Sequence, residues 1–133
     1  MTPIEQTRTG RHGNCQQAAL ASLLDLPLDD VPDFCNNGHR DHWYESMCLW
    51  LLGRGKMHIA YPECDEQWPP IQALIGKGLY YCISGPNEDG IGHVVIYQFD
   101  KMVWDPNPSR RGVATKRFLE FIFDLPAPAG REE

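Results

Sequence analysis

Basic charge is scarce in this chain. Its 12 Lys and Arg stand against 18 Asp and Glu, a formal net charge of −6. Nucleic-acid binders carry a basic face, so nucleic acid is not expected as the main partner, and an anionic membrane surface is disfavoured too. Long apolar runs are also missing. The longest, "SMCLWLLG" and "FLEFIFDL", fall well short of the roughly 20 residues that span a bilayer. The opening "MTPIEQTRTGRHGN" has no apolar centre of the kind a secretion signal needs. Its residues are therefore expected to belong to the fold, and the protein to be cytoplasmic. Paired cysteine spacing is absent as well. Cys15, Cys35, Cys48, Cys64 and Cys82 are odd in number and scattered, which argues against a disulfide scaffold and for thiols used mainly as small buried groups. The glycine pairs at 53–55, 76–78 and 90–92 do not follow a strand and open a helix, so they are not phosphate loops.

What remains is an ordinary globular composition. The 133 residues are 42% hydrophobic and 23% charged, enough for one domain with its own core, spanning 1–133 with 126–133 as a frayed tail. There is no internal repeat and no linker. Residues 1–13 read as an extended lead-in. Cys15 to Leu24 reads as a helix that is apolar nearly all round and therefore central, with Asn14 as its N-cap and Gln17 as the capping-box partner. Residues 41–53 read as a second helix capped by Asp41, with Trp43, Met47, Trp50 and Leu51 on one stripe. "MHIAY" is a weakly alternating strand, and "WPPIQALIGKG" a turn with a short helical piece. "LYYCIS", "HVVIYQF" and "MVWD" read as strands, the last two forming a hairpin that turns at Asp100 and Lys101. "KRFLEFIFDLP" fits either helix or strand, and a closing strand is the preferred reading. Helices first and antiparallel strands after make an α+β fold with helices packed on a sheet.

Three residues in this layout fit one chemistry. A nucleophilic thiol needs a site that stabilises its anion, and a helix N-terminus supplies dipole and free N–H groups for that purpose. It needs a base, usually His, and the base needs a group to hold its ring. Cys15 opens the first helix. His93 opens one hairpin strand and Asp105 ends the other, which makes the two neighbours across the ladder. Each has an ordinary structural reading alone: a core thiol, a strand-end histidine, a turn-forming Asp before Pro. It is the joint placement that is informative.

"GNCQQAALASLL", "GHVVIY" and "VWDPNPS" together resemble the papain-like thiol peptidases. The likeness is to the compact branch that includes the bacteriocin-leader-processing peptidase domains, and to small bacterial and phage proteins of the same layout. It extends from Gln6 to Ser109. It implies a papain-like domain in which an N-terminal helix carrying the cysteine packs against an antiparallel sheet carrying the His and Asp. It also implies Cys15 as nucleophile, His93 as general base and acid, and Asp105 as the group orienting His93. The family places an oxyanion-binding Gln six residues before the cysteine. Here that position is Thr9, and the nearest upstream Gln is Gln6, nine residues before Cys15. Gln6 is the oxyanion candidate if "TRTGRHG" loops out, assisted by the Cys15 N–H, with Asn14 as the alternative.

Other groups are weaker. Cys35, His39, His42 and Cys48 lack the paired spacing of structural zinc sites, so neither metal nor cofactor is expected. Trp43 and His42 are candidates to border the cleft, and His12 is the only rival base. Trp68 with Pro69 and Pro70 reads as a packing corner, and Arg110 and Arg111 as solvated. The expected activity is hydrolysis of a peptide, isopeptide or related amide bond in a peptide or protein substrate. Deamidation or transglutamination with the same three residues is the alternative, and a non-enzymatic binding module the third reading.

Overall fold

The computed structural model describes residues 1–36 and 40–126. The elements run α1 (Cys15–Leu24), α2 (Trp43–Gly53), β1 (Lys56–Pro62), α3 (Pro69–Gly76), β2 (Tyr80–Pro86), β3 (Gly92–Gln98), β4 (Lys101–Trp104) and β5 (Phe118–Asp124). Short 3-10 turns at Gly10–His12, Leu28–Asp30 and Arg40–His42 sit between them. This is the α+β arrangement expected, with five strands in the order β1-β5-β2-β3-β4, every pairing antiparallel. His39 and the tail at 127–133 lie outside the described residues.

Helix α1 forms the middle of the molecule. Ala18, Ala19, Leu20, Ala21 and Ser22 are all buried, and three alanines let the helix lie close to the sheet. Ala19 meets Cys82, Val94 and Ile96 on one side. Leu20 and Ala21 meet Met47 and Leu51 of α2, with Val31 and Phe34, on the other. Burial of each of the large side chains is worth about 2 kcal/mol. The opposite face of the sheet is closed by α3, whose Ile71 and Ile75 pack on Tyr81, Ile83, Val95, Leu119 and Phe121. The sheet is thus covered on both faces, with α1 lying on β3 and β2 and α2 lying on β1.

The closing strand is not peripheral. β5 lies between β1 and β2, and Leu119, Glu120 and Phe121 are buried in succession. A strand covered on both faces does not alternate in polarity, which is why its sequence read as helix or strand alike. Helix α2 begins at Trp43, not at residue 41, because Asp41 belongs to the preceding 3-10 turn and no side chain caps the helix.

The β3–β4 hairpin departs from expectation by one residue. Its turn is Phe99–Asp100, with Gln98 opposite Lys101. Phe99 adopts a left-handed φ of 53°, held by the Tyr81 hydroxyl, which donates to its carbonyl at 2.5 Å. Continued regularly, that register would set Asp105 opposite Val94, on the face away from His93. The ladder is not regular. Tyr97 pairs Met102 but Ile96 pairs Trp104, so Val103 is an extra residue in a β-bulge. The bulge shifts the phase by one, and Asp105 emerges on the same side of the hairpin as His93.

Candidate active site

His93 Nε2 and Asp105 Oδ1 are 2.7 Å apart, with side chains 5% and 1% exposed. Asp105 is fixed by more than this contact. The Asn107 N–H donates to Oδ1 at 2.9 Å and the Gly112 N–H to Oδ2 at 2.7 Å. Burial, the largest influence, would raise the Asp105 pKa. Its bonds from His93, Asn107 and Gly112 and the His93 charge outweigh burial and hold the carboxyl below its ordinary value. Arg110 secures the same loop by donating to the Asp105 and Asn107 carbonyls at 3.1 and 2.7 Å and to Glu5 at 2.7 Å. Its guanidinium also lies 4.2 Å over the Trp104 ring. Arg110 is therefore a brace of the Asp105 loop and not the freely solvated residue its sequence context suggested.

Cys15 stands at the first turn of α1, and no side chain caps that helix. The first-turn N–H groups are therefore open where Cys15 lines the cleft. With His93 Nε2 given to Asp105, Nδ1 is the ring nitrogen left for the sulfur. No Cys15–His93 hydrogen bond of ordinary geometry closes among the described residues, yet the sulfur is near enough to act on the ring. Burial, the largest influence, lowers the His93 pKa. The influences of the Asp105 carboxylate and the Cys15 sulfur exceed it and raise the value to about 9. The ring is cationic at neutral pH.

Two cavities, of about 870 and 480 Å³, share Cys15, His93 and Trp43. Cys35 lines both as well. Burial first, then the neighbouring Cys15, Asp33 and Glu120 charges, push its thiol up to about 12. It remains protonated at neutral pH. Cys82, buried beneath α1, is likewise raised, first by burial.

The two oxyanion candidates separate. Asn14 is 1% exposed, and its amide is fully engaged. Oδ1 accepts from the Thr7 and Arg8 N–H groups at 2.9 Å each, and Nδ2 donates to Thr7 Oγ1 at 3.0 Å and Gln17 Oε1 at 3.1 Å. It neither caps α1 nor has a hydrogen to give a substrate, which corrects both roles expected of it. Gln17 is no capping partner either, since its amide donates to the Leu28 and Val31 carbonyls. Gln6 lines the smaller cavity beside Cys15. Its Nε2 donates to the Arg8 carbonyl at 2.8 Å, and its Oε1 is buried with no partner among the described residues. The residues that lengthen the Gln6-to-Cys15 spacing do loop out, as the 3-10 turn Gly10–His12. Gln6 itself is brought alongside the site because its N–H donates to the Pro106 carbonyl at 3.0 Å.

His12 and His42 are exposed and stand apart from this set. Among the described residues, no three His, Cys, Asp or Glu side chains are grouped to hold a metal ion, and no helix is long and apolar enough to cross a membrane. Glu120 and His58 line or support the larger cavity and were passed over in the sequence. The one available signal was a single carboxylate inside the apolar run "FLEFIF". No family model, curated protein or solved structure matches the chain.

Proposed function

We propose that this chain is a papain-like thiol hydrolase, cleaving a peptide, isopeptide or related amide bond through an acyl-enzyme on Cys15. The observation that carries the reading is the buried 2.7 Å His93–Asp105 pair with Cys15, at an uncapped helix start, on the same cavity. In this reading Asp105 orients the ring and stabilises its charge. The Cys15 thiolate attacks the carbonyl carbon, a C–S bond forms, and negative charge passes to the carbonyl oxygen. The first-turn N–H groups of α1 and the Gln6 amide are the donors for that oxygen. Collapse breaks the C–N bond, and the departing amine takes the proton from His93. Water then attacks the thioester, His93 accepts its proton, and Cys15 is released. Two cavities meeting at Cys15 and His93 suit the two sides of a scissile bond.

The test is labelling with a panel of electrophilic acyl probes, comparing wild type with Cys15→Ala, followed by turnover on the peptides or amides that the reactive probes resemble. Selective labelling at Cys15 with release of a cleaved product supports hydrolysis. Labelling accompanied by conversion of a glutamine side chain to glutamate indicates deamidation. Absence of any Cys15-dependent labelling leaves the binding-module reading.

A further inference from the structure

One buried carboxylate outside the Cys15–His93–Asp105 set opens on the larger cavity. Glu120 of β5 is 6% exposed and lines that cavity together with Cys15 and His93. His58 Nε2 lies 2.9 Å from its Oε1, and the His58 side chain is 2% exposed. On the other edge of that ring, Nδ1 is 3.0 Å from the Tyr44 hydroxyl. Tyr44 is held protonated, its pKa raised to about 12 by burial first and then by the Cys48 and Glu120 neighbours. The His58 ring thus bridges the Tyr44 hydroxyl and the Glu120 carboxylate. This contact orients the carboxylate. No other described side chain hydrogen-bonds Glu120. Its field is felt at Cys35, Tyr44 and Cys82.

We propose that the larger cavity receives a cationic side chain, a primary ammonium or guanidinium on an aliphatic stem, beside the bond held at Cys15. This deepens, and rests on, the thiol-hydrolase reading above. Glu120 takes the charged head, and Trp43 and Phe118, which line the same cavity, cover the stem and offer ring faces to the cation. Arg117 also lines the cavity but is exposed. Its charge is screened by water and salt, whereas a buried carboxylate acts through a lower dielectric. Glu120 therefore decides the sign of the preference.

Equilibrium binding decides this without turnover. Nα-acetyl-lysine methylamide and Nα-acetyl-norleucine methylamide share a stem and differ in the ammonium. Each is titrated by NMR into the Cys15→Ala protein. The lysine ligand should bind at least about tenfold more tightly and shift the His58 and Glu120 signals, and adding Glu120→Gln should erase the difference. Equal binding of the two ligands, or a preference that survives Glu120→Gln, overturns the proposal. If Glu120→Gln does not fold, the ligand pair on the Cys15→Ala protein is decisive by itself. Iodoacetamide reactivity of Cys15 in the wild type, measured separately, distinguishes failure of this cavity from failure of the thiol-hydrolase reading.

Discussion

The His93 ring is where the electrostatics of the site can be measured directly. Its pKa moves from an ordinary 6.5 to about 9 in the fold, an upper bound of about 3 kcal/mol at 1.36 kcal/mol per pH unit. The ring borders an open cavity, and solvent access there reduces this to about 2 kcal/mol. The folded value exceeds the unfolded one, so the charged ring stabilises the native state. That contribution is complete below about pH 6.5 and disappears as the pH rises through about 9. Asp105 is the first of the two partners that raise the value. In Asp105→Asn the imidazole midpoint, followed by NMR, should fall by at least about one pH unit. Urea unfolding of both proteins at several pH values should show the wild-type advantage larger at pH 6 than at pH 10 by about 1–2 kcal/mol. Groups that titrate equally in the two proteins cancel in that difference. A wild-type imidazole that titrates at or below 6.5, or a midpoint unmoved in Asp105→Asn, would refute the reasoning.

The β-bulge offers a separate handle. Deleting Val103, the residue the ladder already skips, should keep the fold, since β4 is an edge strand, and leave Trp104 opposite Ile96 and Asp105 in phase with His93; the imidazole midpoint then stays near 9, and a drop as in Asp105→Asn argues against the register analysis. Gly85 lies opposite His93 in the β2–β3 ladder, and a Cβ there would sit 1.9 Å from the Thr115 carbonyl oxygen. Gly85→Ala should therefore lose about 1–3 kcal/mol in denaturant unfolding and weaken any Cys15-dependent activity. In alkylation at pH 8 read by peptide mass, Cys35 should react more slowly than Cys15, because its thiol is pushed up to about 12; equal rates would mean that the two thiols share one environment.

The fold class and the meeting of His93 with Asp105 were legible because both rest on short-range pattern. "HVVIYQFDKMVWD" announces a hairpin, and any tight hairpin brings its open ends together. The exact register was not legible. Moving the turn back by one residue changes every partner by two and the bulge changes it by one more, and nothing in the local letters marks Val103 as the residue to be skipped. The role of Asn14 was hidden for another reason. A polar residue before a helix reads as a cap, but its partners, Thr7 and Arg8, depend on how the lead-in folds back. Glu120 was hidden by distance. Its partner His58 is 62 positions away, and only the β1–β5 pairing, with His58 two residues from the partner of Glu120, connects them.

The position of β5 between β1 and β2 also governs when the molecule can come into being. β1 has no other strand to pair with, so residues 56–62 wait for residues 118–124 before either side of that half-sheet is hydrogen-bonded. Contacts this far apart in sequence are slow to form, because the intervening chain must close first. Until they do, Glu120 has no His58, α2 has no sheet to lie on, and the larger cavity lacks its far wall. During synthesis, therefore, Cys15, His93 and Asp105 all leave the ribosome ahead of the strand that completes the pocket around them.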